Sequence, residues 1–328
     1  MNHLTDRIFE SKVTNFEELC LELFRFQYQN NPVYKQFAKL LNINDESVVN
    51  SIEQIPFLPV DLFKTHAVQS FEGEAEKYFY SSATGGNGQS KHAVKDLSIY
   101  RRSFTKAFLN QFGPIQQTCI LGLLPSYLER EGSSLIYMVQ HLMELSGHAG
   151  NGFFLYEHEV LAQRIEKLEA KKQPYFLFGV SFALLDFAAK FKGKMTYGKI
   201  IETGGMKGRK KELTRTELVN ELQIAFGTQS IYSEYGMTEL MSQAYADEKG
   251  FYNCPPWLMV RIVDLNDPMS EVAVGKSGLI QVIDLANVYS CAFIQTSDLG
   301  RKNADGSFQI LGRADTSEMR GCSLMVAL

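Results

Sequence analysis

The chain has 328 residues, of which 45% are hydrophobic and 21% charged, a composition that supports a substantial core and excludes disorder over most of the length. Lys plus Arg number 33 against 37 Asp plus Glu, which leaves no basic surplus to neutralise a nucleic-acid backbone. No apolar run approaches the roughly 18 residues that span a bilayer, and Met1 to Glu10 holds no apolar signal-peptide core, so a cytoplasmic protein without a membrane span is expected.

In chain order, Asn15 to Phe26 places apolar groups at helical spacing with Asn15 as its cap, and Pro32 opens a second helix to about Leu41. Ile55 to Val60 is extended, because each of its prolines disfavours helix in the residue before it. A strand, Lys77 to Tyr80, leads into a glycine-rich loop, Ser81 to His92, and a helix from Asp96 to Phe112. Strands Thr118–Leu124, Tyr175–Val180, Lys199–Thr203 and Gln229–Tyr232 then alternate with helices Ser134–Leu145, His158–Glu169, Ala183–Phe191 and Thr214–Ala225. That alternation predicts an α/β fold of parallel-rich sheets flanked by helices. After Trp257 the short runs Leu258–Leu265, Gly278–Leu285 and Phe308–Leu311 predict a small antiparallel β subdomain. The expected organisation is an N-terminal helical region (1–76), an α/β core (77–256), the β subdomain (257–321) and a tail (322–328), all within one continuous domain.

The loop combines glycines with Ser82, Thr84, Ser90 and Lys91 directly after a strand. Glycine lets backbone N–H groups approach an anion, and hydroxyls with a lysine complete a phosphate cradle. It has neither Walker A nor Gly-x-Gly-x-x-Gly spacing, and by itself it fits a plain surface loop better than a phosphate site. Four segments follow it in order: Ile201-Glu202-Thr203-Gly204-Gly205, Tyr232-Ser233-Glu234-Tyr235-Gly236-Met237-Thr238-Glu239, Thr296-Ser297-Asp298-Leu299-Gly300 and Leu311-Gly312-Arg313-Ala314-Asp315. Together with the loop, this series resembles the motifs of the adenylate-forming (acyl-CoA synthetase-like) superfamily, and within it the LuxE-type acyl-protein synthetases.

The resemblance implies an adenylate-forming large domain and a role for each matched residue. Ser82, Thr84, Gly85, Gly86, Asn87, Gly88, Ser90 and Lys91 would hold the β- and γ-phosphates of ATP, whose departure as pyrophosphate needs its charge neutralised. Gly204 and Gly205 would lie flat beside the adenine, with Tyr235 stacked on it. Gly236 would leave room for the acid's carboxylate, Thr238 would contact the α-phosphate, and Glu239 would hold Mg²⁺ through a hard oxygen. Asp298 would accept from the ribose hydroxyls, Arg313 would sit at the ribose or phosphate edge, and His92 would bond a phosphate or the acyl carboxylate. Leu123, Leu124, Pro125, Tyr127, Phe176, Phe178 and Phe182 would line an acyl pocket. The loop departs from the superfamily pattern at Ala83 and Gly86.

The five cysteines, Cys20, Cys119, Cys254, Cys291 and Cys322, have no zinc or redox spacing, and the six histidines form no metal-type cluster. Gly321 matches the superfamily's hinge glycine and seven residues follow it, so the usual small C-terminal domain with its catalytic lysine is not expected here. Cys322 takes the place where that domain would begin. Flanked by Arg320 and Gly321, its thiolate would attack the acyl-adenylate in place of coenzyme A. The expected activity is ATP- and Mg²⁺-dependent activation of a long-chain fatty acid and its transfer to Cys322, supplying an acyl reductase or another acceptor, in a chain that can form a homo-oligomer. Two alternatives stay open: an aryl- or acyl-CoA-ligase-like enzyme acting on a small acid, and an adenylate-fold binding protein without catalysis.

Overall fold

The computed structural model describes residues 2–10, 13–82, 88–124, 132–204 and 213–314. The described residues fall into two compact units, one drawn from Met1–Ser103, Glu239–Ser242 and Asn253–Leu328, the other from Phe104–Thr238 and Gln243–Tyr252.

In the second unit the strands Cys119–Leu123, Gly152–Phe153, Tyr175–Gly179, Gly198–Glu202 and Ile231–Tyr235 run parallel, and Ala244–Ala246 pairs antiparallel with the last of them. Parallel strands need crossover helices, which cover the sheet faces. That is why Cys119–Leu123 and Tyr175–Gly179 are buried at every position instead of alternating. The helices lie where the periodicity puts them: Ser134–Ser146, His158–Ala170, Ser181–Ala188 and Arg215–Phe226. Their ends are written locally. Thr214 and Glu217 form a reciprocal capping box, and Gly147 and Gly227 end their helices in the left-handed region at φ 63° and 61°. Leu184, Phe187, Leu222 and Phe226 pack on Leu121, Leu177, Ile200 and Ile231 in one core. The strand expected at Gln229–Tyr232 runs instead from Ile231 to Tyr235, so its carboxyl end carries the Ser-Glu-Tyr segment.

The first unit is built on an antiparallel sheet of Leu258–Val263, Ser277–Asp284, Phe293–Lys302 and Phe308–Arg313. The third of these was not expected as a strand. Its only apolar run is Phe293-Ile294, and the stretch from Thr296 to Lys302, polar or glycine except for Leu299, is held in the sheet by ladder bonds. Leu58–Pro59 adds to it in parallel, Leu58 opposite Ile294. Lys91 and His92, expected in a loop, lie in the strand Lys91–Val94, paired with Lys77–Tyr80 so that Lys91 faces Tyr80.

The N-terminal helix runs Phe16–Asn30. Asn15 occupies its cap position without a side-chain capping bond, whereas Asn31 does cap Pro32–Leu40 by accepting from Tyr34 N. Gln27, fully buried, locks this helix to the loop after Ser277–Asp284. Its Nε2 donates to Asn287 O and Val288 O (both 2.9 Å), and its Oε1 accepts from Ala292 N (2.9 Å). Gln27→Leu keeps the volume but orphans three buried backbone groups, and is expected to cost about 2–4 kcal/mol in urea unfolding. A loss below about 0.5 kcal/mol would refute this anchor.

Candidate active site

In the first unit, Ser81 and Ser90 close the base of the glycine-rich loop reciprocally. Ser81 N donates to Ser90 O (3.1 Å) and Ser90 N to Ser81 Oγ (2.9 Å). The Ser90 hydroxyl then donates to the carboxylate of Glu239, which is only 6% exposed. Burial pushes this carboxyl up. The Ser90 bond, its own backbone N–H, and the charges of Lys64 and Arg313 pull it back down.

The backbone of the same residue is held from the other side. Asn287 Nδ2 donates to Glu239 O and to Cys291 O (both 2.8 Å), which leaves Oδ1 as its acceptor toward His92 Nε2 at 3.2 Å. His92 Nε2 therefore carries the proton. His92 is 1% exposed, with its ring edge-on to Phe63 at 5.9 Å. It is thus an internal brace acting through Asn287, where the sequence pointed to a substrate contact. Two residues after Glu239, Met241 N donates to Asp284 (2.7 Å), which also accepts from Ser242 Oγ (2.6 Å), and burial pushes the Asp284 carboxyl up to about 6. Trp257 Nε1 donates to Ser242 Oγ (3.1 Å) and Ser103 Oγ (3.0 Å). The turn Glu239 to Ser242 is thereby fixed at both ends.

Lys91 is exposed, and its Nζ lies 3.9 Å from the centroid of the Tyr78 ring. Asp298 and Arg313 face each other across adjacent strands, Nε to Oδ1 3.3 Å, with Asp298 nearly buried and Arg313 reaching outward. Ser82 is half-buried, and Gly88 has φ +79°, a conformation that favours glycine. Thr84, Gly85, Gly86, Asn87, Gly205, Pro125, Tyr127 and Cys322 lie outside the described residues.

In the second unit the carboxyl ends of three parallel strands meet on Glu202, in the place where open α/β sheets carry ligands. Its carboxylate accepts from Ser181 Oγ, Gly204 N (2.7 Å) and Ser233 Oγ (3.0 Å), and Arg215 Nη2 donates to Ser233 Oγ (3.0 Å). Gly204, at φ +68°, turns the chain out of the strand under this clamp. Tyr235 is 7% exposed, its ring 6.1 Å from that of Tyr252, and Thr238 is half-buried. At Gly236 a β-carbon would meet Glu234 Oε1, so any larger residue there requires the end of that side chain to move. Phe176 and Phe178 both pack on Phe108, at 5.1 and 5.8 Å between centroids, as core side chains.

The motif pattern assigns no role to Glu202, Glu234, Asn287 or Lys64. Glu202 and Glu234 lie inside the motifs, and their acidity within otherwise buried strands is a usable signal. Nothing local marks Asn287.

Burial, and then the charge of Glu202, push Glu234 up to about 8 from 4.5. A carboxyl raised by folding binds its proton more tightly in the native state. Its contribution is full below 4.5 and is lost as pH rises through about 8. Glu234→Gln keeps the shape and removes the titration. Its stability is expected to gain on the wild type by on the order of 5 kcal/mol between those two pH values. Urea melts across that range check this, and a pH-independent difference would contradict it.

Among the described residues no three His, Cys, Asp or Glu side chains gather as a metal cage. One carboxylate, Glu239, beside a phosphate-type loop is nonetheless the donor set magnesium takes when phosphate oxygens supply the rest of its shell.

The profile of the LuxE acyl-protein synthetase family matches residues 7–327. None of the curated proteins compared matches the sequence. Among solved structures, ATP-bound MatB from Rhodopseudomonas palustris is similar with a TM-score of 0.53 at 16% identity, over 74% of this chain and 49% of that one. An open conformation of 2-hydroxyisobutyryl-CoA ligase, in complex with 2-HIB-AMP and CoA, is similar at 0.68 and 12%, over 95% and 78%. The same ligase in its thioesterification state gives 0.68 and 13%, over 95% and 71%. The chain spans about half the length of MatB. At these identities the likeness shows the fold, which is that of adenylate-forming ligases. With the family profile covering nearly its whole length, the chain belongs to the LuxE acyl-protein synthetase family.

Proposed function

We propose that this protein activates a carboxylic acid with ATP as an acyl-adenylate and then takes the acyl group onto the thiol of Cys322. The observation that carries the reading is the bond from Ser90, at the exit of the glycine-rich loop, to the buried Glu239 that ends the Tyr-Gly-x-Thr-Glu element. That bond ties the residues suited to the triphosphate to the one suited to its metal.

In this reading Ser82, Thr84, Gly85, Gly86, Gly88, Ser90 and Lys91 hold the β- and γ-phosphates, and Thr238 the α-phosphate. Lys91 leaves the Tyr78 ring to do so, at a cost of about 1 kcal/mol for an exposed cation–π contact. Gly204, Gly205 and Tyr235 receive the adenine, Asp298 and Arg313 the ribose edge, and Gly236 the acid's carboxylate. Glu239 holds Mg²⁺, which when bound lowers the charge of the phosphates. His92 steadies Glu239 through Asn287. An acid oxygen bonds to the α-phosphorus as the pyrophosphate bond breaks, and the Cys322 thiolate then displaces AMP to leave a thioester. The acid is a long-chain fatty acid, the acceptor an acyl reductase, and the setting the cytoplasm, with a homo-oligomer as the working state. ATP bound in MatB, and 2-HIB-AMP with CoA in the hydroxyisobutyryl ligase, support the nucleotide and thiol halves of the scheme.

Glu234 favours a second reading of the substrate. A carboxyl crowding Gly236, with Gln243 Cγ 3.3 Å from the same point, suits a small polar acid better than a wholly apolar chain, and such an acid would leave as a coenzyme A ester. Pyrophosphate exchange over a panel of acids, with and without coenzyme A, separates the two. Fatty acids and indifference to coenzyme A are expected from the first, short hydroxy or aromatic acids and coenzyme A dependence from the second.

Incubation with ATP, Mg²⁺ and labelled acid is expected to leave one thioester-bound label on denatured wild type. None is expected on Cys322→Ser, whose acid-dependent pyrophosphate exchange should stay within about twofold of wild type. Label persisting on the variant would sink the role of Cys322.

A further inference from the structure

The short helix Leu62–Thr65 takes no part in the motifs that the sequence singled out, yet it is fixed firmly. Leu58–Pro59 pairs with the strand that carries Asp298, and Val60 N donates to Gln295 O (2.9 Å). The chain then turns through Phe63 N to Val60 O (3.1 Å) and Lys64 N to Asp61 O (3.0 Å). Phe63 is 1% exposed and meets the ring of His92, the residue two after Ser90. With Phe63 buried there, Lys64 is set beside the end of the glycine-rich loop: its Cβ lies 4.0 Å from the position a β-carbon would take at Gly88. Its charge acts on Glu239 together with that of Arg313. Lys91, the lysine of the loop itself, is engaged by the Tyr78 ring.

We propose that Lys64 is a catalytic lysine of adenylation, holding the β- and γ-phosphates as pyrophosphate leaves. The proposal rests on the adenylating function above. In the step, an oxygen of the acid forms a bond to the α-phosphorus. The bond from that phosphorus to its bridging oxygen breaks, and the electron pair leaves with pyrophosphate. The Lys64 ammonium donates hydrogen bonds to the leaving group and keeps its proton, so its charge offsets the charge that develops. Between turnovers the ammonium rests on Asp61, 2.6 Å away. That carboxylate is 63% exposed, and surface pairs of this kind are weak enough to be exchanged for a phosphate.

Lys64→Met, Lys64→Arg and Asp61→Asn test this in the full-length protein, each first checked by its thermal melt. Calorimetry with magnesium pyrophosphate reads binding without turnover. Lys64→Met is expected to weaken it about tenfold, Lys64→Arg to restore most of it, and Asp61→Asn to tighten it about twofold. In acid-dependent exchange Lys64→Met should lower kcat by about a hundredfold, while thioester formation from supplied acyl-adenylate stays at the wild-type rate. Unchanged pyrophosphate binding in Lys64→Met overturns the proposal, and so does weaker binding in Asp61→Asn should the methionine variant not fold. Wild type that binds pyrophosphate through Lys64 but activates no acid would instead overturn the adenylating function.

Discussion

A carboxylate taken out of water must be met by donors or it loses its charge, and Glu239 places that demand on everything around it. Ser90 supplies a hydroxyl, Lys64 and Arg313 supply charge, and Asn287 fixes the backbone carbonyl of the same residue. Each of these partners is held in turn. Ser90 is pinned by Ser81, Asn287 by His92 and by Gln27 on its carbonyl, and Lys64 by the burial of Phe63. In the first unit these buried polar groups converge on one short turn, Glu239 to Ser242, with Asp284 and Trp257 gripping the far end. Buried polar networks are costly when incomplete, so this turn has one arrangement available to it.

The second unit solves a similar problem with Glu202. Three parallel strands deliver Ser181, Gly204 and Ser233 to one carboxylate, which holds the backbone N–H of Gly204 where the chain leaves its strand. Glu234, next to Gly236, shares the field of Glu202 without sharing its donors, and is accordingly pushed toward the neutral form. The carboxyl ends of these strands therefore carry one carboxyl, Glu202, that gathers donors and another, Glu234, that packs beside Gly236.

Much of this was legible in the residues. The strand–helix alternation from Thr118 to Ala225 gave the parallel sheet, because fully buried strands leave continuous apolar runs bounded by helix caps. The motif order pointed to the family that the profile match established. A histidine beside a phosphate-type loop reads as a ligand contact, yet alternation along Lys91–Val94 turns His92 inward while Lys91 faces out. Asn287 and Gln27 were invisible because their partners are distant in the chain, 48 residues for Asn287 to Glu239 and 260 for Gln27 to Asn287. Lys64 was hidden by its setting, a one-turn helix after an extended proline segment that shows no periodicity of its own.

The central claim is that an oxygen of the acid attacks the α-phosphorus. Activation of an acid whose carboxylate carries heavy oxygen, followed by mass analysis of the released AMP, tests it most directly. The account predicts one heavy oxygen in the AMP phosphate and none in pyrophosphate. Heavy oxygen in inorganic phosphate, with ADP as the nucleotide product, would mean acyl-phosphate chemistry and would contradict it.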